Sequence, residues 1–356
     1  MIIKPPTASL SALLLAVSFA STASGETLQR FEFTRVEMAV PFRIVLYAPH
    51  EAAARAASEE AFERIAELND VLSDYLPTSE LRRLCATAGE GRAVPVSDDL
   101  WRVLASAQHY AQLSDGAFDV TVGPVVRLWR RARRIRELPD PDLLAAAQRA
   151  VGYHLMRLDS VTRSVELTAP EMLIDLGAIG KGYAVDEALE VLAAHGITRA
   201  MVDGGGDLAV GDPPPSAEGW LIAVAPLEAD QPPEMYLYLS HAAIATSGDA
   251  WQAVEIDGVR YSHLVDPRTA MAMTEPTSVT VVAADCLSAD ALASAVSILG
   301  PEEGLRIVDE EETAAALVAR QRGDHLVQEA SARWDALRVL SRDEVAALRR
   351  RSAAEE

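Results

Sequence analysis

Hydrophobic and polar positions follow two rhythms along the chain, and the switches between them predict its elements. Arg30-Phe-Glu-Phe-Thr-Arg-Val-Glu37 has the period of two of a half-buried strand, and Phe42-Arg-Ile-Val-Leu-Tyr47 is rich in β-formers. Residues 28–47 therefore read as two strands around Met38-Ala-Val-Pro41. Residues 50–72 change to helical spacing, with Ala53, Ala57, Phe62, Ile65 and Leu68 as the apolar stripe. Pro77 breaks the chain after that helix, and residues 97–113 form a second one capped at Ser97 or Asp98. A loop over 114–124 leads into a helix over 125–138, and 139–150 is another helix. Residues 155–159 and 164–168 pair as a hairpin.

The middle of the chain reads Ile174-Asp-Leu-Gly-Ala-Ile-Gly-Lys-Gly-Tyr-Ala-Val-Asp186. Met172-Leu-Ile174 is short and apolar, as a strand would be, and residues 183–194 return to helical spacing. Gly177, Gly180, Lys181 and Gly182 lie between them. Such a turn lets backbone approach a ligand and aims N–H groups at anionic oxygens. Taken alone, it is equally an ordinary strand-to-helix turn. Residues 200–211 read as a strand, a glycine turn and another strand, and 220–225, 235–239 and 243–247 continue a sheet. Segments 259–269 and 277–283 follow. An Ala-rich helix over 286–299 ends at Gly300, and the tail after Ala330 is charged and helical. Hairpins alternating with helices, without a regular βαβ rhythm, predict an α+β fold of mixed, mostly antiparallel sheets with flanking helices. That fold is one compact unit or two subdomains with a ligand cleft between them. The expected division is a leader at 1–25, one domain over 26–330 and the tail at 331–356.

Composition narrows the partners. The 356 residues carry a net charge of −21, which argues against a nucleic-acid-binding surface while leaving room for a small phosphate-bearing ligand. Lys4, the apolar run from Leu10 to Ala20 and Ala23-Ser24-Gly25 have the layout of a cleaved secretory signal. The run is too short to span a membrane, and no Cys follows it to take a lipid anchor. Export to a periplasm is the expectation. Cys85 and Cys286 are the only cysteines, and their spacing fits a bridge or two buried thiols equally.

Several local patterns could carry chemistry. Asp290 and Ser294 are four apart on one helical face and together offer hard oxygens to a Mg²⁺; an acid early in a helix beside a small packing residue is the plainer reading. His263, in Tyr261-Ser-His-Leu-Val-Asp-Pro267, sits near an acid at a strand-to-turn boundary, where it is a base, an anion contact or a structural His. Thr246-Ser-Gly-Asp249 ends a strand with hydroxyls and an acid. Arg127, Arg130, Arg131, Arg133, Arg134 and Arg136 read as a solvated helix face. Asp203-Gly-Gly-Gly-Asp207 lacks the Lys-Ser/Thr of a phosphate-binding P-loop. The chain has neither a dinucleotide Gly-x-Gly-x-x-Gly nor a hydrolase Gly-x-Ser-x-Gly.

In this order, certain stretches resemble the FAD:protein FMN transferases, the ApbE family. They are Met38-x-x-Pro-Phe42, Leu72-Ser-Asp-Tyr-x-Pro-x-Ser-Glu-Leu81, Gly116-Ala-Phe-Asp-Val-Thr-Val-Gly-Pro124, Ile174–Asp186 and Gly204-Gly-Gly-Asp207. Thr246-Ser-Gly-Asp249, His263-Leu-Val-Asp-Pro-Arg-Thr269 and Ala289-Asp-Ala-Leu-Ala-Ser-Ala295 complete the set. The resemblance implies an exported α+β enzyme that binds FAD, cleaves its pyrophosphate with Mg²⁺ and transfers FMN to a threonine or serine hydroxyl, releasing AMP. It implies that Met38, Tyr75, Ala117, Phe118, Asp119, Asp175, Lys181 and Leu264 line the FAD site. Asp290, Ser294 and the Ala178 carbonyl would hold the metal, and His263 would assist proton transfer. The implied acceptor is an exported redox-protein subunit, which would bring the enzyme to the periphery of the inner membrane. Two other readings share this site: an FAD pyrophosphatase giving FMN and AMP, and a non-catalytic exported FAD-binding protein. Departures from the family pattern stand at Ala39, Val40, Asp203, Ala250, Ala270 and Ser294. Ala270 matters if its position needs a positive φ.

Overall fold

The computed structural model describes residues 27–227, 231–248, 253–322 and 325–355. The leader expected at 1–25, and Asp249 and Ala250, lie outside these residues. The predicted hairpin is present as β1 (Gln29–Glu37) and β2 (Val40–Ala48), and six further strands extend the sheet. They are β3 (Ala200–Gly204), β4 (Leu208–Val210), β5 (Ala242–Gly248), β6 (Thr277–Ala283), β7 (Ala315–Arg322) and β8 (His325–Ala330). Strand order in this eight-stranded sheet follows chain order, and every neighbouring pair is antiparallel. This is the expected α+β architecture.

The sheet is buried on both faces, and period-two alternation sorts its side chains. Phe42, Ile44, Leu46, Val202, Ala243, Ala245, Val279, Val281 and Val318 face the main core. That core is built with α1 (Glu51–Leu72), α2 (Asp98–Leu113), α4 (Gly180–Ala194) and α5 (Cys286–Leu299). Val45, Met201, Leu208, Ile244, Val282 and Leu317 face the other way, toward Trp220, Leu237, Leu239 and Trp334. A third cluster packs α3 (Gly123–Ile135) through Val125, Trp129 and Ala132 onto Ile256, Tyr261, Val265, Ala270 and Ala272. Trp129 Nε1–H donates to the Ala270 carbonyl at 2.9 Å, which ties α3 to the hairpin segment that carries His263.

Several local expectations need correction. Met172-Leu-Ile174 is not a strand: a single parallel bridge joins Leu173 to Val122, because this apolar run packs as one buried pass between helices. Helix α4 begins at Gly180, so Lys181 and Gly182 sit in its first turn instead of in a preceding loop. Residues Trp220–Ala223 and Met235–Leu239 do not continue the main sheet; with Val339–Ser341 they form a separate three-stranded sheet over its second face. The segment after Ala330 is thus a 3-10 turn at Trp334–Ala336, a strand, and an α-helix only from Arg342 to Glu355. Cys85 and Cys286 are buried free thiols, and the Ile174 N–H points at Cys85 Sγ at 3.4 Å.

Helix α5 is apolar on all sides and buried from Cys286 to Ser297 apart from Ser288, as a helix threaded through a core must be. Its N-terminus meets α4 at Gly182, where any Cβ would collide with the Cys286 carbonyl. The Asp186 carboxylate completes the joint by accepting the Cys286 and Leu287 N–H groups at 2.8 and 2.9 Å. These contacts set α4 and α5 in fixed relation, with Lys181 and Asp290 on facing sides.

Candidate active site

A cleft of about 400 Å³ opens where the first turn of α4, the middle of α5, the β3–β4 turn and the hairpin lobe under α3 come together. Its walls contain Tyr75, Ala117, Phe118, Asp119, Asp175, Ala178, Lys181, His263, Leu264, Asp290 and Ser294. Every residue that the resemblance assigns to the FAD site, the metal or proton transfer is there except Met38. That side chain is half-buried in the β1–β2 turn, and its neighbour Val40 packs against Gly205, itself part of the cleft wall.

The charges converge at the deep end. Lys181 Nζ forms an ion pair with Asp207 and lies 3.6 Å from Asp290 Oδ2. Burial works to lower the Lys181 pKa, but the Asp290 and Asp207 carboxylates outweigh it and raise it above the ordinary value, so the ammonium stays protonated. Asp290 is only 6% exposed, and its pKa is pushed up to about 7 by burial first and by Asp207 second. Its Oδ2 accepts no hydrogen bond. A buried carboxylate oxygen left without a donor is costly and suits a cation.

A hard cation would suit such an oxygen. Ser294 lies one turn along α5 from Asp290, and Ala178 lines the same cleft. Among the described residues no cluster of three His, Cys, Asp or Glu could hold a metal. An ion here would have one or two carboxylates, a hydroxyl and a carbonyl, and would keep waters or take ligand phosphates, as Mg²⁺ does.

The remaining walls are held by local hydrogen bonds. Asp119 Oδ1 accepts the Thr121 N–H at 2.8 Å and the Thr121 hydroxyl at 2.7 Å; burial nonetheless raises its pKa. Ser114 Oγ accepts the Phe118 N–H at 2.9 Å, fixing the Ala117–Asp119 loop. On the opposite wall the Leu264 N–H donates to Ser262 Oγ at 3.1 Å, at the foot of the half-buried His263. Ala270 has φ +60°, so the left-handed turn survives without glycine, and Met38 and Ala39 do the same at φ +47° and +64°.

Pattern reading missed two wall residues. Arg130 and Arg133 were absorbed into a solvated basic run, and Arg127, Arg131, Arg134 and Arg136 are indeed exposed. Arg130 and Arg133 instead turn toward the cleft, beside buried Trp129 and Ala132. Their spacing of three from one another, flanking those two apolar positions, was the available signal. Asp207 and Thr246, present in quoted motifs but given no role, also line the cleft.

This fold is the architecture of the solved flavin transferases. The flavin transferase ApbE from Vibrio cholerae superposes with a TM-score of 0.78 at 28% identity, covering 87% of this chain and 100% of that one. The ApbE protein from Thermotoga maritima gives 0.77 at 28% identity, covering 86% and 99%. The ApbE family model matches residues 38–318. The chain belongs to the ApbE family. It is 33% identical over 259 residues to an FAD:protein FMN transferase of Vibrio cholerae, covering 71% of this chain and 76% of that one. It is 33% identical over 297 residues to one of Treponema pallidum, covering 78% and 82%.

Proposed function

We propose that this chain transfers FMN from FAD to a threonine or serine hydroxyl of an exported redox-protein subunit, with Mg²⁺, releasing AMP. One observation carries the reading: Lys181 and the donor-free Oδ2 of Asp290 face each other in the cleft that His263 borders from the other wall. Asp290, Ser294 and the Ala178 carbonyl would hold Mg²⁺, which supplies charge neutralisation on phosphoryl oxygens. The Lys181 ammonium stabilises the charge that builds on the pyrophosphate as the transferred phosphorus is attacked. His263 takes the proton from the acceptor hydroxyl. The hydroxyl oxygen then bonds to the FMN phosphorus, the P–O bond to AMP breaks, and AMP leaves with the electron pair. The acceptor would meet the enzyme in the periplasm, at the periphery of the inner membrane, in line with the leader read at 1–25.

The left-handed φ values at Ala39 and Ala270 remove the ground on which these departures would support a non-catalytic reading. The alanines substituted into this family pattern have kept the backbone path that glycine would take. The test is to incubate the protein, freed of its leader, with FAD, Mg²⁺ and a redox domain carrying a target Thr, and to read the products by mass spectrometry. A mass gain of one FMN on the acceptor with equimolar AMP is expected. Free FMN with AMP and no labelled acceptor would make the protein a pyrophosphatase instead. FAD bound but intact would make it a carrier.

A further inference from the structure

Arg130 holds together a part of the cleft that the chemistry above leaves unused. Its Nη2 donates to Asp175 Oδ2 at 2.7 Å and its Nη1 to Asp74 Oδ2, while its Cζ stands 4.6 Å from the centroid of the Tyr75 ring. These partners come from two separate stretches: the segment after α1 supplies Asp74 and Tyr75, and the segment before α4 supplies Asp175. The guanidinium on α3 joins their polar side chains. The other oxygen of Asp175 accepts the Gly177 N–H at 2.9 Å, so the carboxylate is fixed at both ends. Burial raises its pKa, the Arg130 charge works against that, and Asp74 adds to the rise.

Tyr75 is 72% exposed although one face of its ring rests over the Arg130 cation. An aromatic side chain held out in solvent at a cleft mouth by a cation beneath it offers its other face for stacking. This end of the cleft is well separated in role from Lys181 and Asp290, whose charges suit a pyrophosphate.

We propose that Arg130 is the positioning residue of a ring-binding end of the cleft. It aims the Asp175 carboxylate inward and supports Tyr75 as a platform, so that this end selects a planar heteroaromatic ring bearing an N–H donor. The inference rests on FAD being the ligand of the cleft. Both of its rings, adenine and isoalloxazine, have that chemistry, and FAD carries them at opposite ends of the pyrophosphate. A lysine would keep the charge but lose the two-armed fork and the flat stacking surface.

The experiment follows ligand binding in the wild type and the Arg130→Ala and Arg130→Lys variants. Flavin fluorescence reports FAD and FMN, and displacement reports ADP. Arg130→Ala is expected to weaken FAD binding by about 10- to 100-fold, with the loss appearing in KM for FAD far more than in kcat. Arg130→Lys should recover only part of it. The loss should recur with one of FMN or ADP and not the other, which assigns the ring. Equal FAD affinity in wild type and Arg130→Ala would overturn this inference alone, as would equal losses for FMN and ADP, or a fall in kcat at constant KM. Failure of the wild type to bind FAD would overturn the ligand itself and this inference with it. Thermal unfolding of each variant reports folding, and Arg130→Lys carries the same comparison if Arg130→Ala does not fold.

Discussion

Lys181 Nζ and Asp290 Oδ2 stand 3.6 Å apart, an ion pair between the first turn of α4 and the second turn of α5 that no hydrogen bond closes. The gap exists because Lys181 donates to Asp207 instead, and because Gly182 brings the two helices close enough for the side chains to face one another.

Asp290→Asn keeps the shape of the side chain and removes its charge. Transfer is expected to fall by at least about 10²-fold, the usual scale for losing one preorganised electrostatic partner. Saturation by Mg²⁺ should disappear with it. Rates measured across a Mg²⁺ titration check this, and full activity with an unchanged Mg²⁺ requirement would remove Asp290 from the metal site.

His263→Ala should slow transfer by about 10²- to 10⁴-fold, the range for a positioned base, while FAD affinity changes little. Transfer at the wild-type rate would show that another group takes the proton.

Ala39 and Ala270 occupy left-handed backbone at φ +64° and +60°. A Cβ there costs roughly 1–2 kcal/mol, partly offset by the chain entropy that glycine would lose on folding. Ala39→Gly and Ala270→Gly are each expected to stabilise by about 0.5–1 kcal/mol, and additively, since the turns belong to different lobes. Urea denaturation measures it; a loss of stability in either variant contradicts the strain argument.

Asp186 makes stability depend on pH. Burial drives its pKa up to about 7, against the donated N–H groups of Cys286 and Leu287 that pull it down. A folded pKa above the unfolded value of 3.8 means that the native state holds the proton more tightly. Its favourable contribution is complete below about pH 4 and is lost as pH rises to about 7. The stability of the wild type relative to Asp186→Asn should therefore fall from pH 4.5 to pH 8, by about 3 kcal/mol. A constant difference would refute it.

The strands and helices of the main sheet were legible because one face per strand reaches one core. Ile44 and Val45, or Ala243 and Ile244, alternate cleanly between the two buried faces. Met172-Leu-Ile174 misled because an apolar run of three fits a buried connection as well as a strand. The cleft was legible chiefly through resemblance, since no single motif fixes which residues meet in space. Arg130 shows why: whether it faces solvent or Asp175 depends on the packing of Trp129 against Tyr261, a contact across more than a hundred residues of chain.

In the main sheet each strand pairs with its next neighbour along the chain, and β2–β3 is the pair whose connection, residues 49–199, is by far the longest. Closing a loop of that size, compared with a four-residue hairpin, is about five doublings in length and costs about 3 kcal/mol more in chain entropy. The inserted segment carries α1, α2, α3 and all of α4, so Tyr75, Asp119, Asp175 and Lys181 belong to it. The connections from β3 to β8 are far shorter, so the β2–β3 pair is the one that brings together the ends of the ligand-facing segment. Folding and the assembly of the cleft therefore share one slow step, and substitutions that weaken β2–β3 pairing should delay recovery of activity on refolding more than they lower the final yield.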